Sequence, residues 1–217
     1  MKLIGIDLDG TLEDSRGDMV SAARRVRAVL QLPPRPDAEL RAHVNGGMDQ
    51  LYRACFDDYL GGGDARRYAE VREAYEADYL EHVALQTHLY EGIPGALSAL
   101  ARLGTLACIT NKPERISRRL LHVLDVGKLF GTVVGGDSGP HAKPHPSMLQ
   151  LAAERCGFDH ARGRAYMIGD TNADIQLGRA FGAVTIWCAW GYAPSISEAP
   201  DHRAATPADL PGYVESH

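Results

Sequence analysis

Cysteine is scarce and scattered. Cys55, Cys108, Cys156 and Cys188 form no CxxC pair and match no zinc-ligand spacing. Cys108 and Cys188 lie inside apolar runs, where a reduced thiol serves as a small hydrophobe, so the pattern fits a reduced, cytoplasmic protein. Lysine is equally sparse, with only Lys2, Lys112, Lys128 and Lys143 in the chain. Basic charge is not in excess either: a formal net charge of −5 and a pI near 6.0 argue against nucleic acid or an anionic membrane as the main partner. No apolar run approaches the ~18 residues that a membrane helix needs. The N-terminus enters at once into Lys2-Leu3-Ile4-Gly5-Ile6-Asp7, a short apolar run closed by an acid, so no signal peptide is expected. What remains is an ordinary globular composition, 45% apolar and 24% charged over 217 residues. That length holds one large domain, or a main domain carrying a smaller insertion.

Three patterns follow one another along the chain. Residues 3–9 read as a buried strand ending in acids, after which Gly10-Thr11 turns the chain. Residues 15–88 hold helical-period segments at 19–30, 49–60 and 65–83, broken at Pro33-Pro34, Gly46-Gly47 and Gly61-Gly62-Gly63. From residue 92, apolar strands at 106–110, 132–135, 165–168 and 184–187 alternate with helices at 94–103, 114–124, 146–156 and 172–181. Such alternation implies a parallel sheet covered on both faces. The expected architecture is therefore α/β: a doubly wound, Rossmann-like parallel-sheet core from residues 1–14 and 89–217, with an α-helical cap inserted over 15–88. No internal repeat or low-complexity segment is present. The polar tail from Ser195 reads as a last turn or short helix laid over the core.

Ligands of such a sheet bind outside the carboxyl ends of its strands, and four polar clusters fall there. They are Asp7-Leu8-Asp9-Gly10-Thr11, Thr110-Asn111-Lys112, Ala142-Lys143-Pro144, and Gly169-Asp170-Thr171-Asn172-Ala173-Asp174. Strand ends are polar in most proteins, and one acidic turn alone means little; four with complementary charges are hard to explain as solvated loops. Asp7 and Asp9 are two apart and, with the Gly10 turn, both can be aimed inward. Together with Asp170 they form a carboxylate group that repels itself unless a cation binds. All-oxygen ligands beside a phosphate favour Mg²⁺. Thr110 and Asn111 offer a hydroxyl and an amide to phosphate oxygens, and Lys143 a compact positive charge. Gly10 and Gly169 let the backbone approach closely.

In order and spacing, Asp7-Leu8-Asp9-Gly10-Thr11-Leu12, Thr110-Asn111, Lys143-Pro144 and Gly169-Asp170 with Asp174 resemble the four motifs of the haloacid dehalogenase-like hydrolases. The resemblance spans nearly the whole chain, since the helical insertion matches the small α-helical cap of that family. Residues 7–15 and the Gly46-Gly47 turn resemble the phosphoglycolate phosphatase group most. The resemblance implies a Mg²⁺-dependent phosphatase acting through an aspartyl-phosphate. Asp7 would be the nucleophile, and Asp9 first the general acid and then the base. Mg²⁺ would sit on the Asp7 carboxylate, the Asp9 carbonyl and Asp170, with Asp174 orienting waters or Lys143 behind them. Thr110 and Lys143 would hold the phosphoryl group, assisted by Gly10 and Asn111. The substrate would be a small phosphomonoester, first of all 2-phosphoglycolate, because a closing cap leaves little room. Oligomeric state stays open.

Several neighbouring functions are weighed by particular residues. Asp9 counts against a dehalogenase, whose metal-free relatives lack an acid there. Phosphonate-cleaving members need a cap lysine, and residues 15–88 contain none. Sugar-phosphate mutases of the family carry a basic, hydroxyl-bearing signature where this chain has Asn45-Gly46-Gly47-Met48-Asp49-Gln50, which weakens a phosphoglucomutase-type phosphotransferase without removing it. Receiver domains of signalling pairs share the Asp, Thr and Lys set but lack the long helical insertion and the second acid. A catalytically silent regulatory protein on the same fold is disfavoured because every motif residue is present. Arg53, Arg66, Arg67 and Arg72 could reach a substrate carboxylate, although such arginines are more often solvated. His141 and His145 read as exposed loop residues, and Trp187, Trp190 and Tyr192 as packing. Glu13 is expected at the cap hinge near the cleft mouth, with no assigned role.

Overall fold

The computed structural model describes residues 1–216 and, among them, every side chain but that of Asn45. His217 and the Asn45 side chain, included above in the core and in the turn signature, lie outside the described residues. Along the chain, β1 (Lys2–Ile6) and β2 (Glu13–Asp14) are followed by helices α1 (Arg16–Val29), α2 (Asp37–Arg41), α3 (Met48–Cys55), α4 (Asp57–Leu60) and α5 (Ala65–Glu81). Then come β3 (His88–Leu89), α6 (Ile93–Leu103), β4 (Thr105–Ile109), α7 (Glu114–Val123), β5 (Phe130–Val134) and α8 (Ser147–Arg155). The chain ends with β6 (Arg164–Gly169), α9 (Asn172–Phe181), β7 (Val184–Cys188), β8 (His202–Ala204) and α10 (Leu210–Glu215). It divides into two compact units: Met1–Asp14 with His88 onwards, and Ser15–Thr87. His88, grouped above with the helical insertion, belongs to the first unit, because it pairs with Asp14 in a two-stranded antiparallel ribbon of β2 and β3.

The first unit is built on a six-stranded parallel sheet of order β5-β4-β1-β6-β7-β8. After their first residues, the central strands β1, β4 and β6 are apolar and buried, as covering on both faces requires. Register aligns Leu3 with Ala165 and Gly5 with both Ala107 and Met167. These alternate residues face one core with Met148 and Leu149 of α8 and Leu177 of α9. The intervening Tyr166 turns the other way, and its hydroxyl donates to the Val214 carbonyl of α10 at 3.2 Å. The tail thus contributes an edge strand as well as the expected short helix. Leu149 is fully buried in this core. Leu149→Ala should lower the unfolding free energy by about 2–5 kcal/mol, read as a lower urea midpoint at unchanged m value.

The second unit is helical throughout. Tyr75 of α5 donates to the Met19 carbonyl of α1 at 3.0 Å and meets Tyr52 of α3 edge-on at 5.2 Å between ring centroids. Arg27, though 2% exposed, is held by both oxygens of Asp58 at 2.9 and 2.6 Å and by the Cys55 and Pro33 carbonyls. The segment 49–60, read as one helix, breaks at Phe56, a buried residue whose φ of −133° is non-helical. Three of the four arginines considered for a substrate carboxylate are engaged within this unit. Arg53 pairs with Asp49 at 2.8 Å, Arg72 with Glu76 at 2.7 Å, and Arg67 donates to the Tyr59 carbonyl at 2.8 Å. No helix among the described residues is long and apolar enough to cross a membrane.

Candidate active site

All four polar clusters meet at the carboxyl edge of the sheet. Asp7 follows β1 and Thr110 follows β4, while Asp170 follows β6 on the other side of β1, so the site straddles the point where chain progression reverses. The Asp7 amide still donates to the Ile168 carbonyl at 2.9 Å, which extends the β1–β6 pairing up to Asp7. Lys143 comes from the segment between β5 and α8, and Asp174 is the third residue of α9.

Lys143 ties two of these carboxylates together. Its Nζ lies 2.5 Å from Asp7 Oδ1 and 2.7 Å from Asp174 Oδ1, with its side chain 5% exposed. Burial alone would push this ammonium down, but Asp174 and Asp7 outweigh it and hold it above the usual lysine range. Asp174 Oδ2 accepts from the Thr171 amide at 3.0 Å and the Thr171 hydroxyl at 2.6 Å, the reciprocal contact of a capping box. One side chain therefore starts the helix with one oxygen and anchors the lysine with the other. Asn111 is placed differently from expectation. Its amide brackets the Lys143 backbone, accepting from the Lys143 N–H at 2.8 Å and donating to the Lys143 carbonyl at 3.4 Å, so it positions the lysine-bearing loop.

Asp7, Asp170 and Asp174 are buried, and one ligand oxygen from each lies within 4.8 Å of the others. Burial first, and then Asp174 and Asp170, push the Asp7 carboxyl well above the usual range, although Lys143 opposes them. Burial and then Asp174 push Asp170 up to about 7, against the Tyr192 N–H, which donates to Asp170 Oδ2 at 2.6 Å. Three clustered carboxylates beside one ammonium leave an excess of negative charge. Their oxygen-only donor set and mutual repulsion fit a small divalent cation such as Mg²⁺. Gly10 is required here: its φ is +83°, and a Cβ on it would stand 2.5 Å from Asp170 Oδ2. Trp187 and Trp190, read as packing residues, brace the same edge. Their indoles donate to the Asp170 carbonyl at 2.9 Å and the Thr11 carbonyl at 3.0 Å.

Asp9 stands apart from that carboxylate group. Its side chain is 21% exposed, its Oδ2 lies 3.4 Å from the Thr110 hydroxyl, and its Oδ1 accepts from the ammonium of Lys112. Lys112 is a residue whose part sequence reasoning missed. It was one of only four lysines and closed the Thr110-Asn111-Lys112 cluster, which was the available signal. Glu13 is likewise not at a cleft mouth: it is fully buried, with Oε1 3.8 Å from Lys112 Nζ. His141 and His145 are exposed, as expected, with ring centroids 4.3 Å apart. All four cysteines are free, and burial pushes the Cys108 and Cys188 thiols up, which suits packing and not nucleophilic chemistry.

Comparison with known proteins converges with this geometry. The haloacid dehalogenase-like hydrolase family matches residues 1–182. A phosphoglycolate phosphatase of Aquifex aeolicus is 33% identical over 100% of this chain and 98% of its own. An N-acetylmuramic acid 6-phosphate phosphatase of Pseudomonas aeruginosa is 32% identical over 88% of this chain and 83% of its own. Among solved structures, a haloacid dehalogenase-like family protein of Streptococcus pneumoniae shares the fold with a TM-score of 0.77 at 24% identity, covering 97% of both chains. The chain therefore belongs to the haloacid dehalogenase-like hydrolase family and stands in its phosphatase group, beside the phosphoglycolate phosphatases.

Proposed function

We propose that this enzyme hydrolyses a small phosphomonoester through a phosphoryl group carried on Asp7, with 2-phosphoglycolate as the first substrate to test. The observation that carries the reading is the burial of Asp7 against Lys143 within one carboxylate cluster, with Asp9 two residues away at the same sheet edge. An Asp7 oxygen attacks phosphorus in line with the ester oxygen, so that one P–O bond forms as the bond to the leaving alcohol breaks. Asp9 gives its proton to the departing oxygen. As a carboxylate it then takes a proton from the water that attacks the aspartyl-phosphate, which releases orthophosphate and restores Asp7. Lys143 and the Thr110 hydroxyl hold the phosphoryl oxygens, and Asn111 and Asp174 keep Lys143 in place. Asp7, Asp170 and the Asp9 carbonyl are the groups that would hold Mg²⁺, with Asp174 beside them. When bound, the ion supplies positive charge to the transferring phosphoryl group.

The name of the Aquifex relative supports 2-phosphoglycolate, and that of the Pseudomonas relative makes N-acetylmuramic acid 6-phosphate the second substrate of choice. Orthophosphate release should be followed from both, from p-nitrophenyl phosphate and from a panel of sugar phosphates and nucleoside monophosphates, with Mg²⁺ or with EDTA. Turnover should require Mg²⁺, and the highest kcat/KM marks the substrate. Folded, Mg²⁺-loaded protein that turns over no ester would sink the hydrolase reading in favour of phosphoryl transfer between substrate positions. Thermal unfolding gives a second readout. With Asp170 pushed up to about 7, its carboxyl is protonated near pH 5 and ionised above neutrality. Mg²⁺ should therefore raise Tm clearly at about pH 8 and little at about pH 5.

A further inference from the structure

We infer that Lys112 and Glu13 form a buried positioning pair that fixes the Asp9 carboxylate in its proton-transferring orientation, an inference that rests on the role proposed for Asp9. Three observations lead there. First, the Lys112 side chain is 1% exposed and that of Glu13 fully buried, yet neither belongs to the carboxylate cluster around Asp7. Groups of opposite charge buried this deeply are costly unless they serve each other. Second, Lys112 is fixed along its whole length. Its amide donates to Thr110 Oγ1 at 3.1 Å, its carbonyl accepts from the Gly136 amide at 3.1 Å, and its ammonium lies 3.8 Å from Glu13 Oε1. Third, the far side of that ammonium meets Asp9 Oδ1, the partly exposed acid two residues beyond Asp7.

The local backbone reinforces the arrangement. After β1 the chain makes a single turn in which the Leu12 amide donates to the Leu8 carbonyl at 2.9 Å and the Gly10 amide to the Glu13 carbonyl at 2.9 Å. That turn brings Glu13 back beside Asp9, with which it forms an isolated bridge. Asp9 carries a short side chain on a solvent-reached edge, and rotation about χ1 would swing its carboxylate away from the leaving oxygen. With Oδ1 docked on Lys112, Oδ2 stays directed past the Thr110 hydroxyl. Glu13 touches no reacting atom and acts through Lys112. A proton donor held in one orientation is what separates general acid catalysis from mere proximity.

The test uses leaving groups. An alkyl phosphate needs a proton on its departing oxygen, whereas 2,4-dinitrophenolate leaves without one. Because Lys112→Met alone leaves a buried carboxylate with its counter-charge removed, the main variant is Lys112→Met/Glu13→Val, which removes both charges. In rapid-quench experiments with Mg²⁺ present, this double variant should release its first equivalent of dinitrophenol at close to the wild-type rate. Its kcat on the best alkyl phosphate should fall by about 10²-fold, within the range of a lost general acid, with KM little changed. Glu13→Val should show the same selectivity more weakly, and should add nothing in the Lys112→Met background. Equal losses on both esters, or no loss on either, would overturn the inference, as would additive effects of the two substitutions. Asp9→Asn is the control: if it fails to discriminate between the two esters, the role given to Asp9 falls, independently of the pair behind it.

Discussion

Asp7→Asn should lose turnover by on the order of 10⁴-fold or more while the metal-free protein becomes more stable at neutral and higher pH. The two effects have one origin. The amide keeps the shape of the carboxylate but cannot form the phosphoryl-enzyme. In the wild type, burial and the charges of Asp174 and Asp170 disfavour ionised Asp7, with Lys143 only partly compensating. A neutral amide removes one member of a self-repelling cluster, and Lys143 keeps Asp174 at 2.7 Å as its counter-charge. The sign follows from linkage. A carboxyl whose folded value is raised binds a proton more tightly in the folded chain than in the unfolded one, so its contribution weakens as pH rises from about 4 through the raised value. Above that range the wild type carries the full repulsion and Asp7→Asn does not. Acid-quenched wild type turning over a ³²P-labelled ester should retain hydroxylamine-labile label, and Asp7→Asn should retain none. A variant that loses both activity and stability would point to a structural Asp7, and a variant that keeps turnover would remove Asp7 as nucleophile.

How much of this could be read from the sequence depends on how far apart the interacting residues lie. The four long strands of the second half were legible because each is an apolar run bounded by glycine or polar residues, and the helices between them because their periodicity is long enough to resolve. β2 and β3, two residues each, are too short to have a period, and β8 carries His202 and Arg203 at a sheet edge where no apolar run is needed. α1 begins at Arg16, ahead of the expected 19, because its first turn is polar: Asp18 is buried by accepting from Thr87 Oγ1 at 2.6 Å and from the Gln86 and Thr87 amides, contacts from distant sequence. The acids of the site announced themselves by ending strands. Their helpers did not. Asn111 suggested a phosphate ligand by type, yet its geometry is set by a backbone 32 residues away. Glu13 was expected at the cap hinge with no role, and Lys112 stood in a polar cluster without one; only the fold, by burying them together, relates the two.

Lys143→Met should be the second-largest loss, about 10³-fold in kcat, and its pH dependence tells apart two ways of losing it. Lys143 has two duties: it meets the phosphoryl group, and it lowers the proton affinity of Asp7. Without the ammonium, burial, Asp174 and Asp170 push Asp7 up unopposed, so less of the nucleophile is ionised at any given pH. Residual activity should then rise more steeply with pH than that of the wild type. If Lys143 served only to bind phosphate, KM would rise and the pH profile would keep its shape. Stability separates the duties further. The lysine's raised folded value means that it stabilises the fold fully below the ordinary lysine pKa of about 10.4, and that this contribution fades only as pH climbs through the still higher folded value. Its removal should therefore cost about 3–5 kcal/mol in the metal-free protein at neutral pH, as for a broken buried pair. The deficit should shrink on acidification as the freed carboxyls take up protons. Lys143→Arg keeps the charge but not the compact, two-carboxylate contact at 2.5 and 2.7 Å. It should recover most of the stability and little of the activity, whereas recovery of both would show that charge alone, and not its placement by Asn111 and Asp174, is what the site needs.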